Sequence, residues 1–316
     1  MGWTVKCRLG IQGFALFKVG PRGGFLSGEL VRSERECSFR MITYTSRFLT
    51  RAEIWFDNEP TATARPVDWI LYNLRSSPVP GAQSRIFYTL LVDLSQSQEQ
   101  LRSELNEDTA YKVRRARDRD KIICESCNAR DPAVMNDFEK MYNAFAAIKH
   151  LVPLNRPRLE RLAAAGVLDI SAAKDPQGNV LVYHANYRDH RRATQLETPS
   201  LYRSLPQSAA RNFSGRANRY LTWSNILRYK NEGLKAFDFG GWHLGSDPEM
   251  LSINDFKRGF GGTVVREYQC EQILTLKGWV VLCAAKLLQQ ARSTLSNEGE
   301  PVLNSEFPVQ ASVAIK

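Results

Sequence analysis

Hydrophobic and polar positions along this chain follow first one period and then another. Ile86 to Leu94 is rich in β-formers and predicts a strand; Ser95 and Gln98 then have the spacing of a capping box, which predicts a helix start. Ala110, Val113 and Ala116 share one face of a following helix, and Lys121 to Cys124 reads as a strand. Asp131-Pro132 supplies an N-cap and a first-turn proline, after which Val134, Phe138, Met141, Phe145 and Ile148 recur at helical spacing and predict a core-facing helix. Pro157 opens another helix that ends at Gly166, a left-handed cap candidate. Val167 to Ala173 and Val180 to Tyr187, joined by the turn 174–179, predict a β-hairpin, with a further strand at Ala193 to Glu197. Ala217 to Glu232 reads as a helix closed by Gly233, and Leu234 to Phe239 as a short buried strand. A helix over Pro248 to Arg258, strands at Thr263 to Cys270 and Ile273 to Leu276, and a helix from Trp279 to Ala291 complete an α/β or α+β order.

Before residue 86 the pattern is broken by glycines at 20, 23 and 24, a Ser/Arg/Glu stretch at 33–37 and prolines from 60 to 66. Val67, Ile70, Leu71 and Leu74, behind Pro66, predict one helix there. The expected organisation is a small or incomplete region over 1–85, a main domain over 86–292 and a polar tail over 293–316.

With 316 residues, 43% of them hydrophobic, the chain can bury a substantial core. Its 43 Lys and Arg against 33 Asp and Glu leave a net charge of +10, which favours a partner bearing phosphate or carboxylate. The start lacks an apolar secretion signal, so a cytoplasmic protein is expected, and the apolar run 279–285 is too short to span a membrane, leaving at most contact with a membrane surface. Six scattered cysteines include one Cys-x-x-Cys, at Cys124 and Cys127, but neither a second pair nor spaced histidines accompany it; no metal site is expected.

Chemistry concentrates in three places. Between Thr198 and Asn231 there is no acidic residue but six basic ones, including Arg211, Arg216 and Arg219, with Tyr220 and other aromatics interleaved. This reads either as a phosphate-holding loop before a helix N-terminus or as a solvated basic loop. Lys112 to Lys121, with Arg114 and Arg115, is either a solvated helix face or the border of an RNA groove. In Phe237-Asp238-Phe239-Gly240-Gly241 an acid stands between aromatics at a strand end, followed by glycines that allow positive φ or close backbone approach; Asp238 can anchor the turn, orient an amine or take its proton. Lys257, beyond it, can hold phosphate or an oxyanion or lie on the surface. No nucleophile elbow, phosphate-binding P-loop or His-Glu-x-x-His is present, so direct attack by an acceptor amine suits the chain best.

At these residues the sequence resembles the FemAB-like branch of the GNAT superfamily of acyl and aminoacyl transferases. The resemblance runs through Tyr88–Ser95, the basic Tyr111-Lys112-Val113-Arg114-Arg115-Ala116, Leu221-Thr222-Trp223 up to Gly233, Phe237–Gly241, and Phe256-Lys257-x-Gly259-Phe260-Gly261-Gly262. It implies a GNAT-like fold, α/β with a mixed central sheet flanked by helices, and transfer from an activated carbonyl to an amine. It also implies no permanently bound cofactor, with aminoacyl-tRNA or acyl-CoA as co-substrate. The expected roles are Lys257 on phosphate or oxyanion, Asp238 on the amine, Gly240, Gly241, Trp242, Phe256 and Tyr220 against substrate, and Arg211, Arg216, Arg219, Arg114 and Arg115 on donor phosphates. The acceptor would be a phosphate-bearing amine of a cell-envelope precursor or surface-polysaccharide sugar. Three departures stand out: residues 1–85 are too short for the family's second GNAT unit, no coiled-coil tRNA arm is recognisable, and no coenzyme A pyrophosphate loop is recognisable. A coenzyme A-dependent N-acyltransferase of a nucleotide sugar therefore stays open, as does a non-catalytic RNA-binding or regulatory protein on the same scaffold; oligomeric state is left open as well.

Overall fold

A computed structural model of the chain describes residues 4–8, 14–18, 41–46, 48–60, 66–200, 202 and 205–284. The chain divides into two compact units, 1–40 and 41–316. In the first, β1 (Thr4–Arg8) pairs antiparallel with β2 (Phe14–Lys18). The expected breaks at 20–24 and 33–37 and the tail over 293–316 lie outside the described residues.

The second unit is built on one ten-stranded mixed sheet. Along the chain come β3 (Ile42–Ser46), β4 (Leu49–Trp55), β5 (Trp69–Arg75), β6 (Gln83–Asp93), α1 (Gln98–Ser103), α2 (Glu107–Asp118), β7 (Ile123–Cys127), α3 (Pro132–Ile148) and α4 (Arg156–Ala165). They are followed by β8 (Leu168–Lys174), β9 (Val180–Arg188), β10 (Arg192–Glu197), α5 (Ser208–Asn231), β11 (Ala236–Gly241), α6 (Pro248–Arg258) and β12 (Thr263–Ile273). The strand order is β3-β4-β5-β12-β6-β11-β10-β9-β8-β7; β4–β5 and β10–β11 run parallel and the other neighbours antiparallel. The sheet thus crosses the 85/86 division expected from sequence, because β12 is hydrogen-bonded to β5 on one side and β6 on the other.

The helix expected at 66–74 is instead strand β5. It lies between β4 and β12 with Trp69, Ile70, Tyr72 and Leu74 all buried, and a strand covered on both faces carries a continuous apolar run that satisfies the helical period equally well. Ser97 and Gln100, not Ser95 and Gln98, form the capping box of α1: the Ser97 hydroxyl accepts from the Gln100 amide at 3.2 Å and the Gln100 side chain accepts from Ser97 at 2.8 Å. The buried stripe of α3 is Met135, Phe138, Tyr142 and Ala146, one position round from the expected one, and Ile148 is exposed. Thr263 to Ile273 is a single strand, with helical residues at 276–284; the rest of the expected C-terminal helix lies outside the described residues.

Helices cover both faces of the sheet, and β9 shows how the pleat divides its side chains between them. Tyr183, Ala185 and Tyr187 enter the core with Phe138 of α3 and Leu159 and Leu162 of α4. Val182 packs with Ala217 and Leu221 of α5. Further along, α5 covers the strands that carry the site: Ile226 and Tyr229 pack with Phe237 and Phe239 of β11, Leu90 and Val92 of β6 and Phe260. Among the described residues no helix is long and apolar enough to cross a membrane.

Candidate active site

The parallel strands β10 and β11 hold register for three pairs, Arg192–Thr194 against Ala236–Asp238, and then part. A register shift on each side accompanies the opening, between Gln195 and Glu197 against β9 and between Asp238 and Gly241 against β6. Gly240, within this irregular end of β11, has φ +70°, and a Cβ there would lie 3.3 Å from the Gln195 carbonyl oxygen, so a side chain would meet both strain and crowding.

Asp238 lies directly before this irregularity with no exposed surface. Its carboxylate accepts from the Gly240 amide at 2.7 Å, from the Thr89 hydroxyl, and from Arg192 at 2.6 Å. Arg192 also donates to Glu267 of β12 at 2.6 and 2.9 Å. Three strands are therefore joined through one largely buried guanidinium. Burial works against that charge, but the two carboxylates prevail and hold Arg192 above its usual value.

Two cavities flank the opening. The larger, about 800 Å³, lies among α2, α5, α6 and β10, and its wall includes Lys112, Arg115, Lys149, Arg216, Arg219 and Lys257 against Asp108 and Asp255. The smaller, about 250 Å³, is lined by Trp55, Phe87, Tyr142, Leu159, Glu197, Gly240 and Gly241 among others. Gln195 lines both.

Lys257 joins the two sides. It projects from α6, whose start is fixed by the Asp247 cap and Pro248, and its ammonium donates to the Gly241 carbonyl at the end of β11. Burial pushes it down to about 8, with Asp238 pulling the other way. At pH 7 the ammonium is still mostly charged.

The other residues expected from sequence are dispersed. Arg219 lies over the Phe256 ring at 5.0 Å and 3.9 Å from Asp108, and burial holds its guanidinium below its usual value. Arg216 faces the same cavity but is ion-paired with Asp120, which Arg115 also approaches at 3.9 Å. Arg211 instead turns back onto the carbonyls of Leu205 and Pro206 at 3.0 and 2.7 Å, beside the start of α5, and Arg114 is exposed on α2. Trp242 is buried, with Arg258 over its ring at 5.1 Å, and Tyr220, on α5, packs between the cores; neither lines either of these two cavities. Cys124 and Cys127 are free thiols on β7, pushed up to about 11 by burial.

Sequence reasoning missed Arg192, Thr89 and Glu267, whose role exists only once β6, β10, β11 and β12 are side by side. It also missed Glu197, the last acid before the acid-free run, which was the one available signal.

A mixed sheet with helices on both faces, opened between a central parallel pair beside glycines, is a GNAT-like fold. FemX shares it: its crystal structure matches at a TM-score of 0.54 with 12% identity, over 86% of this chain and 88% of that one. The C-terminal domain of a putative lysylphosphatidylglycerol synthetase from Agrobacterium fabrum aligns at a TM-score of 0.45 and 13% identity over 87% and 85% of the chains. Saccharomyces cerevisiae N-myristoyltransferase with bound myristoyl-CoA aligns at 0.35 and 11%, over 65% and 52%. No protein-family model matches the chain, and no curated protein matches it in sequence.

Proposed function

We propose that this chain is an amide-forming acyltransferase or aminoacyltransferase. Its donor carries phosphates, as aminoacyl-tRNA and acyl-CoA both do, and its acceptor is an amine of a cell-envelope precursor or surface-polysaccharide sugar. One observation carries the reading: the sheet opens at Gly240–Gly241 between a basic cavity and a largely apolar one, with the Lys257 ammonium at the rim.

In this reading the donor enters the larger cavity with its phosphates toward Arg115, Arg216 and Arg219. The acceptor nitrogen attacks the donor carbonyl carbon. A C–N bond forms, negative charge develops on the carbonyl oxygen, and its collapse breaks the C–O bond of an aminoacyl ester or the C–S bond of a thioester, while a proton lost from the nitrogen ends on the leaving oxygen or sulfur, which departs as the alcohol or thiol. Lys257 supplies a cation where that charge develops, held in place by the Gly241 carbonyl before the substrate arrives. Asp238 and Arg192 act one step removed, by fixing the irregular end of β11 from which Gly241 presents its carbonyl.

Thermal-shift measurements with a panel of acyl-CoAs and aminoacyl-tRNAs separate the donors, since a ligand at 100 times its Kd stabilises by about 2.7 kcal/mol. Mass spectrometry of amine acceptors incubated with the stabilising donor then reads transfer. Tight, salt-dependent tRNA binding without transfer would favour the non-catalytic RNA-binding alternative; no stabilisation by either donor class would overturn the proposal.

A further inference from the structure

The smaller cavity has a charge inventory that its apolar walls do not explain. Facing it are Glu197 of β10, Arg158 of α4, Tyr142 of α3 and His243 after β11. Arg158 is committed elsewhere: its Nε and Nη2 donate to the two carboxylate oxygens of Glu53, the second at 3.0 Å. Glu53 is saturated in turn, accepting from the Tyr44 hydroxyl at 2.9 Å and the Trp55 indole at 3.2 Å. That pair is neutral as a unit. Glu197 receives the Tyr142 hydroxyl and feels Arg158 only through its field. Among the described residues it has no cation of its own.

The remaining walls, including Trp55, Phe87, Leu159 and Met250, suit a hydrocarbon body. Glu197 is two residues from Gln195, which borders both cavities, and it shares its own cavity with Gly240 and Gly241.

We propose that this cavity binds a primary amine carried on an apolar body, that its ammonium sits on the Glu197 carboxylate, and that Glu197 takes a proton from it. In that step an N–H bond of the ammonium breaks and an O–H bond forms on Glu197, leaving a neutral amine with its lone pair free beside the Gly240–Gly241 opening. Burial pushes the Glu197 carboxyl up to about 7, against the pull of Arg158 and Tyr142, which suits a group that must be ionised to bind and basic enough to accept a proton. This inference rests on the amide-forming reading above and names the residue that serves its acceptor.

The test uses the full chain and n-hexylamine, with 1-hexanol as the uncharged counterpart, titrated by calorimetry at pH 8 and pH 5.5. Hexylamine should bind at least about tenfold more tightly at pH 8, where Glu197 is ionised, than at pH 5.5. Glu197→Gln should weaken hexylamine by about tenfold or more at pH 8, abolish its pH dependence and leave hexanol unchanged. Met250→Trp, which fills the cavity, should lose both ligands, and Glu197→Asp supplies a second carboxylate variant should the glutamine protein melt early. Equal hexylamine affinity in Glu197→Gln and the parent, hexanol binding as tightly as hexylamine at pH 8, or no effect of Met250→Trp would each overturn the proposal. Binding is read without any donor: loss of this site with transfer intact sinks the inference alone, whereas amine binding without transfer from any donor sinks only the function proposed above.

Discussion

Replacing Asp238 with asparagine distinguishes a proton acceptor from a buried anchor, and the structure makes the two outcomes numerically different. The aspartate is fully covered, with one side of its carboxylate facing the Gly240 amide and the Thr89 hydroxyl and the other facing Arg192. Asparagine keeps the shape but turns one oxygen into a donor. If that NH2 faces Arg192, two donors meet and the guanidinium loses one of two carboxylate partners; if it faces Gly240, it meets an amide N–H. Removing one partner of a buried pair costs about 3–5 kcal/mol. Glu267 remains to hold Arg192, so about 2–3 kcal/mol is expected for Asp238→Asn. At about 2–4 °C per kcal/mol for a chain of this size, the melting temperature should fall by about 5–10 °C. Urea unfolding gives the free energy directly, and transfer per folded molecule should fall no more than about tenfold. A variant within about 1 kcal/mol of the parent that loses more than about 100-fold in turnover would refute this reasoning and make Asp238 the base.

Lys257→Met should separate stability from activity in the opposite sense. The lysine holds its charge where burial has moved it down to about 8, so below pH 8 the folded state bears an ionisation cost that methionine lacks. Even without the hydrogen bond to Gly241, a net gain of about 1–2 kcal/mol is expected by urea unfolding at pH 7, alongside about 100-fold slower turnover. The sign follows from proton counting: between about 8 and the ordinary 10.5 the unfolded chain binds more protons, so the parent gains stability as pH rises through that window and Lys257→Met does not. Turnover against pH should be bell-shaped, rising as Glu197 ionises near 7 and falling as Lys257 discharges near 8; Glu197→Gln should erase the acid limb and Lys257→Arg should move the alkaline limb upward. Arg219→Ala should raise the donor KM by about 10- to 100-fold with kcat little changed, whereas Arg211→Ala, whose guanidinium is spent on Leu205 and Pro206, should leave KM alone; steady-state kinetics reads both.

Elements whose ends carry their own chemistry were legible from the sequence. Pro248 behind the Asp247 cap bounds α6, Gly166 with φ +75° ends α4, and the 174–179 turn joins β8 to β9, all through interactions within a few residues. Strand β5 was not, because its identity depends on β4 and β12 covering it from either side, and β12 lies some two hundred residues further on. The α3 stripe shifts for a related reason: Met135 and Tyr142 are buried by what packs on them, and Val134 and Met141 satisfy the same helical period one position away.

The acid-free run at 198–231 shows why charge along a sequence is a poor map of charge in space. Wound into α5, its arginines point in different directions and meet acids from elsewhere: Arg216 meets Asp120, Arg228 meets Asp169, and Lys230 is used by the carbonyls of Leu94 and Gln96. Arg219 and Arg216 face the cavity, and Arg219, 3.9 Å from Asp108, has the weaker ion pair of the two. The phosphate-binding potential of the run thus rests on fewer residues than its composition implies. The converse holds for Glu197. An ordinary acid in sequence, it faces the smaller cavity with Arg158 acting on it only through its field, because Glu53, on another strand, takes that guanidinium's hydrogen bonds. A site of this kind is defined by which partners are occupied, and that information exists only after the sheet has formed.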